Sequence, residues 1–261
     1  MYRLTVTIFF YLIIQQTKVN VHGENQIVNS FTSCDQSNSN ENIYDFSSYD
    51  IQDETKINPI SFEKYRGKVL LIIITATYCQ YTRQYPYLNQ LKAHYRSNNF
   101  EILAFPCNQF GLQEPGVTGE EILNGIRFVR REFCDFVSEM QKFVDLAGGN
   151  YVPNFPMFEK SDVNGGDERP VFTYLKSRCP SPVDEFHPWP NITYRPVRSN
   201  DLRWNFEKFL ISPNGFPMKR FASRVTPMEL MPHIDEAMAR STDKVSLAHE
   251  LNELLFSEED F

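Results

Sequence analysis

One apolar run constrains the fold of this chain more than any other feature. Residues 69–74 read Val-Leu-Leu-Ile-Ile-Ile, with no polar residue at any alternate position. Such a run is typical of a strand buried on both faces of a parallel sheet that helices cover. It ends in Thr75-Ala76-Thr77, and Cys79 follows where a helical pattern begins.

Cys79 lies at the predicted junction between this strand and the next helix. The first N–H groups of a helix have no intrahelical partner, and the helix dipole is positive there. Both favour a thiolate over a thiol. The alternative is a buried, inert cysteine, because free cysteines commonly pack as small apolar residues. This stretch alone leaves both interpretations open.

Composition excludes several functional classes. The chain has 261 residues and a formal net charge of −7. Since it has no long basic run, we expect no nucleic-acid partner. Five cysteines occur without any C-x-x-C pair, so neither a dithiol redox motif nor a metal site is predicted. These cysteines are Cys34, Cys79, Cys107, Cys134 and Cys179.

The first 23 residues have the order of a secretory signal peptide. Arg3 precedes an apolar run at residues 4–14, and we predict cleavage after Gly23. The run is too short to span a bilayer, so we expect an extracellular protein without a membrane partner. In a secreted chain, the sequon Asn191-Ile192-Thr193 makes Asn191 a glycosylation acceptor.

The remaining pattern predicts one α/β domain at residues 43–240, after a loose arm at 24–42 and before an acidic tail at 241–261. The strand–helix–strand order around Cys79 implies a parallel sheet with a right-handed crossover. We predict strands at residues 43–46, 57–62, 69–74 and 100–105, helices at 80–95, 131–147, 170–178 and 227–239, and a hairpin at 209–221.

The loop at residues 105–116 follows the next buried strand. Sites form at the carboxyl ends of parallel strands, so we expect this loop to meet Cys79. Cys107 lies inside the loop, and we predict that it is a packed thiol.

Three sequence blocks resemble the glutathione peroxidase family. They are A-T-Y-C-Q-Y-T at 76–82, F-P-C-N-Q-F-G-L-Q-E-P-G at 105–116 and R-W-N-F-E-K-F-L at 203–210. The blocks V-P-N-F, F-E-K-S-D-V-N-G and L-K-S-R-C-P resemble its secreted branch. The resemblance implies a thioredoxin-like fold, in which helices flank a central mixed sheet. It also implies that Cys79 reduces peroxides, with Gln113, Trp204 and Asn205 around it.

These residue types suit peroxide chemistry. An indole N–H and two side-chain amides are hydrogen-bond donors that favour an anionic sulfur and hold peroxide oxygens. Attack on a peroxide leaves a sulfenic acid, which one thiol converts to a disulfide and a second thiol releases. We therefore expect a secreted peroxidase whose partners are small-molecule peroxides and thiols, with glutathione as co-substrate and no cofactor.

The resemblance also implies a glutathione-binding rim and an oligomer. Arg130 and Arg224 match rim arginines of the family, and Lys219 and Arg220 lie close by in sequence; basic side chains suit the carboxylates of glutathione. Tetrameric members retain the loop that here spans residues 122–155, so a homotetramer is expected.

Two alternatives remain. Ile126 replaces the usual resolving cysteine of thioredoxin-dependent members, and Cys134 is the candidate substitute. We predict instead that the 131–147 helix packs against another subunit or partner, which leaves Cys134 remote. Ile74 and Gln80 depart from the family pattern, which favours a weakly active or inactive secreted binding or structural protein.

A disulfide between Cys34 and Cys179 is predicted. Secreted proteins tend to pair their spare cysteines. Cys179 ends a predicted helix before a proline-rich loop, and the arm that carries Cys34 is long enough to reach it. The bridge would tie the arm to the domain.

Overall fold

The structure is a computed structural model that describes residues 30–35, 41–96, 99–128, 151–188 and 190–240. Some of the predictions above concern residues outside these ranges and stay predictions. They are the signal peptide at 1–23, the helix at 131–147 with Cys134, the rim residue Arg130 and the tail at 241–261.

A mixed five-stranded sheet forms the centre of the described residues, with a separate two-stranded pair beside it. The strands are β1 (Phe31–Ser33), β2 (Ser47–Ser48), β3 (Ile60–Ser61), β4 (Val69–Thr75), β5 (Phe100–Pro106), β6 (Lys208–Ile211) and β7 (Pro217–Phe221). The large sheet has the order β1-β7-β6-β4-β5. β4 and β5 are parallel, whereas β6 and β7 form the predicted antiparallel hairpin. Every residue of β4 is buried, as its apolar run predicts.

Helices cover both faces of this sheet. They are α1 (Tyr85–His94), α2 (Gly119–Phe128), α3 (Pro170–Arg178) and α4 at residues 231–240. On one face, Tyr95 follows α1, packs on Phe100 of β5 and donates a 2.6 Å hydrogen bond to Asp235 of α4. On the other face, Phe172 of α3 meets Phe105 of β5 edge-to-face at 5.3 Å. This arrangement is the thioredoxin-like fold that the resemblance implies.

The predicted strand at residues 43–46 is wrong, because Ile43–Asp45 forms a 3-10 turn. The side chain of Asn42 accepts a hydrogen bond from the N–H of Tyr44, and the carboxylate of Asp45 accepts one from the N–H of Asn42. These reciprocal polar contacts form a capping box, which stabilises a helical turn over the extended conformation. The next predicted strand, at 57–62, is shorter than expected and forms β3.

The arm at residues 24–42, predicted to be loose, is ordered at residues 30–35. There β1 extends the sheet by pairing with β7, so that Phe31 lies opposite Phe221. This segment is ordered because the edge of β7 offers backbone donors and acceptors to any nearby extended segment. The predicted disulfide is present, joining Cys34 to Cys179 with the two Cα atoms 4.2 Å apart.

Candidate active site

Cys79 lies just beyond the carboxyl end of β4, where the chain turns into a 3-10 helix at Gln80–Gln84 that continues as α1. The cysteine is the N-cap of this helix, and its sulfur accepts a 3.5 Å hydrogen bond from the N–H of Tyr81. A backbone donor aimed at sulfur favours its anionic form. The side chain is fully buried, whereas its neighbours Tyr78 and Gln80 are exposed.

Gln113 and Asn205 meet beside this turn. The Nδ2 atom of Asn205 donates to Oε1 of Gln113 at 3.1 Å, and it also lies 3.5 Å from the carbonyl of Phe110. Two acceptors around one nitrogen identify it as the amide donor. The N–H of Tyr78 donates to the backbone carbonyl of Gln113 at 2.9 Å. The loop that carries Gln113 is therefore joined directly to the loop that carries Cys79.

Within the described residues, the buried side-chain oxygen of Asn205 has no hydrogen-bond partner. The residue is fully buried, and its Oδ1 atom makes no hydrogen bond to any residue that the structure describes. Buried polar atoms are normally paired, so an unpaired acceptor at this position calls for an explanation. A hydroperoxide or thiol proton would satisfy it.

Trp204 lies next to these amides. Its indole packs at 5.8 Å from the Phe110 ring, and the ring of His187 covers it at 3.8 Å between centroids. Burial lowers the pKa of His187, which favours the neutral imidazole. At Gly111, an added Cβ would lie 3.4 Å from the side chains of both Gln113 and Trp204. The side chains of Gln113, Trp204 and Asn205 are thus close together.

Backbone strain occurs beside two of the site residues. Leu112, which precedes Gln113, has a φ of 53°, and Phe206, which follows Asn205, has a φ of 67°. Left-handed conformations are uncommon for bulky residues and persist where the surrounding structure imposes them. For Phe206, full burial and a 2.7 Å hydrogen bond from its N–H to the carbonyl of Ile74 supply that constraint.

Two buried ionisable residues at the site were missed by sequence reasoning. Glu114 accepts hydrogen bonds from the N–H and the hydroxyl of Thr77, each at 2.8 Å, and burial raises its pKa to about 7. Lys208 donates to the carbonyls of Phe206, Ser223 and Val225, and burial lowers its pKa to about 7. Glu114 directly follows Gln113 in the block at residues 105–116, so its position in the sequence could have marked it as a site residue. Nothing local marked Lys208 as buried.

Cys107 is a packed thiol, as the sequence predicts. Its sulfur accepts from the N–H of Gln109 at 3.5 Å, and burial raises its pKa to about 12. The thiol is therefore protonated at neutral pH and is a poor nucleophile. Among the described residues, Cys79 and Cys107 are the cysteines outside the Cys34–Cys179 disulfide.

The basic residues assigned to the rim lie in very different places. Arg224 is exposed, and it follows Ser223, whose carbonyl accepts a 2.9 Å hydrogen bond from Gln84 of the Cys79 helix. Lys219 points to the α4 face, where it pairs with Glu236 at 2.7 Å and contacts His233 at 2.9 Å. Its engagement there does not support the rim assignment of Lys219.

Full burial contradicts the prediction that Arg220 binds substrate. Arg220 is fully buried and pairs with Glu207 at 2.8 Å. Its remaining donors bond the carbonyls of Cys179, Asn200 and Asp201. A guanidinium that is saturated by partners inside the protein is not available to a ligand. The strand register explains the error, because Arg220 faces the α3 side of the sheet rather than the rim.

Neither a metal centre nor a membrane span is evident in the described residues. Within the ranges given above, no group of three or more His, Cys, Asp or Glu residues could hold a metal ion. No helix in the same ranges is long and apolar enough to cross a bilayer.

Comparison with known proteins agrees with this geometry. The family model for glutathione peroxidase matches residues 43–176. An epididymal secretory glutathione peroxidase of Macaca fascicularis is 42% identical over 184 residues, which are 70% of this chain and 74% of that protein. The protein of the same name from Sus scrofa is 43% identical over 179 residues, which are 69% and 73% of the two chains. A glutathione peroxidase of Dirofilaria immitis is 35% identical over 237 residues, covering 89% and 97%.

The family match spans more than half of the chain, and the most similar relatives align over most of their own length. The family match includes Cys79 and Gln113, whereas Trp204 and Asn205 lie after its last residue. The interpretation as a binding or structural protein without enzymatic activity is therefore not retained. This chain belongs to the glutathione peroxidase family, and it is a peroxidase.

Proposed function

We propose that this peroxidase reduces hydrogen peroxide and organic hydroperoxides with glutathione, through a thiolate and sulfenic acid cycle at Cys79. The observation that carries the proposal is the position of Cys79 at a helix start, with a backbone donor on its sulfur. Gln113 and Asn205, which lie on two neighbouring loops, are hydrogen-bonded to each other.

The first step of the proposed cycle oxidises Cys79. The thiolate attacks one peroxide oxygen, the O–O bond breaks, and the other oxygen takes a proton and leaves as water or alcohol. The sulfur keeps one oxygen as a sulfenic acid. In this proposal, Gln113 and Trp204 donate hydrogen bonds to the peroxide oxygens. The unpaired Oδ1 of Asn205 accepts the O–H of the peroxide and orients it.

Two thiols complete the cycle. The first glutathione thiolate attacks the sulfur of the sulfenic acid and displaces hydroxide, which leaves as water after protonation. The second attacks the resulting mixed disulfide, releases oxidised glutathione and restores the Cys79 thiolate. Exposed Arg224 and Arg83, on the loop and helix beside the site, suit the carboxylates of glutathione.

Secretion is part of the proposal. The order of residues 1–23 is that of a signal peptide. The Cys34–Cys179 disulfide is typical of proteins in an oxidising compartment. Two of the relatives described above are named as secretory proteins.

Steady-state peroxide consumption by Cys79→Ser, with Cys107→Ala as the matched control, tests the cycle. We expect Cys79→Ser to lose peroxide reduction and to keep the fold, since Ser is nearly isosteric with Cys. Cys107→Ala should keep its activity per folded molecule. Retained turnover in Cys79→Ser would refute the assignment. Turnover with thioredoxin but not glutathione would refute the reductant and favour the Cys134 route.

A further inference from the structure

The segment at residues 191–193 pairs with the loop that carries Gln113. The carbonyl of Asn191 accepts a 2.7 Å hydrogen bond from the N–H of Gly111, and Ile192 forms an antiparallel bridge with Phe110. The N–H of Thr193 donates to the carbonyl of Gln109 at 3.1 Å. The sequon is therefore attached along the active-site loop.

Side chains alternate along this segment as they do in a strand. Ile192 is buried, whereas Thr193 is exposed and Asn191 is half-buried. The Asn191 side chain therefore lies on the same face of the segment as the exposed Thr193, opposite the face that carries buried Ile192. A modification on its nitrogen extends from that face.

The opposite side of the same loop contacts the proposed chemical groups. The Phe110 ring packs on Trp204, and the carbonyl of Phe110 lies 3.5 Å from Nδ2 of Asn205. A few residues before the sequon, His187 stacks on Trp204 at 3.8 Å. Because His187 contacts Trp204 and the carbonyl of Asn191 contacts Gly111, we place Asn191 on the rim of the site.

We infer that an N-linked glycan on Asn191 stands at the mouth of the Cys79 site and excludes bulky peroxides while it admits small ones. The inference rests on the proposed function and on export of the chain. During export, the Asn191 amide nitrogen bonds to the first sugar of a lipid-linked oligosaccharide. The lipid diphosphate leaves with the broken C–O bond, and the amide loses a proton.

The physical basis is steric exclusion. Cys79 is fully buried, so a peroxide has to pass between the surrounding loops, one of which carries Gly111 and Gln113. A hydrated oligosaccharide held at Asn191 occupies the solvent in front of Gly111. Hydrogen peroxide passes such an obstacle, whereas a hydroperoxide on a phospholipid in a micelle must bring a large assembly against it.

The test compares glycosylated and deglycosylated forms of the full chain, secreted from a eukaryotic host. Mass analysis of the peptide that contains Asn191 first determines its occupancy. A native endoglycosidase treatment and Asn191→Gln then provide two independent ways to remove the glycan. Peroxide consumption is measured with hydrogen peroxide and with phosphatidylcholine hydroperoxide in detergent micelles, using the same thiol.

We expect removal of the glycan to raise the rate with the phospholipid hydroperoxide several-fold and to leave the rate with hydrogen peroxide unchanged. Endoglycosidase treatment of Asn191→Gln should change neither rate. The inference is overturned if Asn191 carries no glycan. It is also overturned if the glycosylated and deglycosylated forms reduce the phospholipid hydroperoxide at the same rate, or if neither form reduces it. Loss of hydrogen peroxide reduction in every form would instead count against the proposed function, since that reaction does not depend on Asn191.

Discussion

Glu114→Gln should make this protein more stable at neutral pH than the wild type. Glu114 is buried against the turn that leads to Cys79 and accepts two hydrogen bonds from Thr77 of that turn. Glutamine keeps the shape of the side chain and an oxygen for Thr77, and it removes the buried negative charge. The substitution therefore separates the cost of the charge from the benefit of the contacts.

The structure sets the size and sign of the effect. Burial raises the pKa of Glu114 from 4.5 to about 7. At about 1.4 kcal/mol per pKa unit, ionising this carboxyl in the folded protein costs about 3 kcal/mol. Because the folded pKa lies above the unfolded one, the folded state binds the proton more tightly. The protonated carboxyl of Glu114 makes its whole contribution to stability below pH 4.5, and this contribution is lost as the pH rises to about 7.

Denaturant unfolding at about pH 5 and about pH 8 measures this contribution, because the slope of stability with pH reports the proton uptake that differs between the two states. The free energy of unfolding of Glu114→Gln, relative to wild type, should increase between the two values by up to about 3 kcal/mol. Glu185→Gln, at an exposed position, is the matched control and should follow wild type.

Two results would contradict this reasoning. Parallel pH profiles for wild type and Glu114→Gln would mean that burial does not perturb the carboxyl. A variant that is less stable than wild type at pH 8 would mean that the charge itself stabilises the site, through Thr77 or through the nearby ammonium of Lys160. In either case Glu114 would be an ionised anchor rather than a carboxyl that titrates near neutrality.

Further substitutions test the rim, the disulfide and the indole. Arg224→Ala should raise the apparent KM for glutathione several-fold, whereas Lys219→Ala should not. If both variants changed this KM equally, Arg224 would not be a specific binding residue of the rim. Loss of the disulfide in Cys34→Ser should lower the free energy of unfolding by about 2–5 kcal/mol. Adding Cys179→Ser should lower it little further, because the bond is already absent. If denaturant unfolding showed that the two substitutions each lower the free energy of unfolding additively, the disulfide would not be the source of the stability. Trp204→Phe should slow the first oxidation step in rapid-mixing kinetics with little change in Tm, and a matching loss of stability would make Trp204 a packing residue.

Much of the framework follows from local patterns in the sequence. The apolar run at residues 69–74 has to be buried on both sides, which requires a sheet covered by helices on both faces. The cysteine that follows it must then lie at a carboxyl strand end, where it meets the loop after β5. The hairpin at β6 and β7 was likewise predictable, because Pro213-Asn214-Gly215 marks the turn between two apolar segments.

The disulfide was predictable from chemistry rather than from pattern. A secreted chain favours pairing of cysteines that have no other role, and Cys34 lies on an arm long enough to reach Cys179. The sequence did not predict that the arm also forms β1. That strand exists because β7 has a free edge, which only the order of the assembled sheet creates.

Tertiary structure distinguished between basic residues that look alike in sequence. Arg220 and Arg224 are four positions apart, yet one is fully buried and the other is exposed. Strand register places Arg220 on the α3 side, against Glu207 and several carbonyl groups, while Arg224 lies beyond the end of β7. A buried guanidinium is stable only if its partners are present, and those partners come from distant parts of the chain.

The site itself combines both kinds of information. Sequence identified Gln113 and Asn205 by type, but their mutual hydrogen bond joins positions 92 residues apart and depends on the packing of two loops. The pKa of Glu114 is a tertiary property in the same sense, because distant segments bury the carboxyl and Thr77 comes from the loop after β4. A residue's chemical type is written in the sequence, whereas its solvation and its partners exist only once remote segments have packed around it.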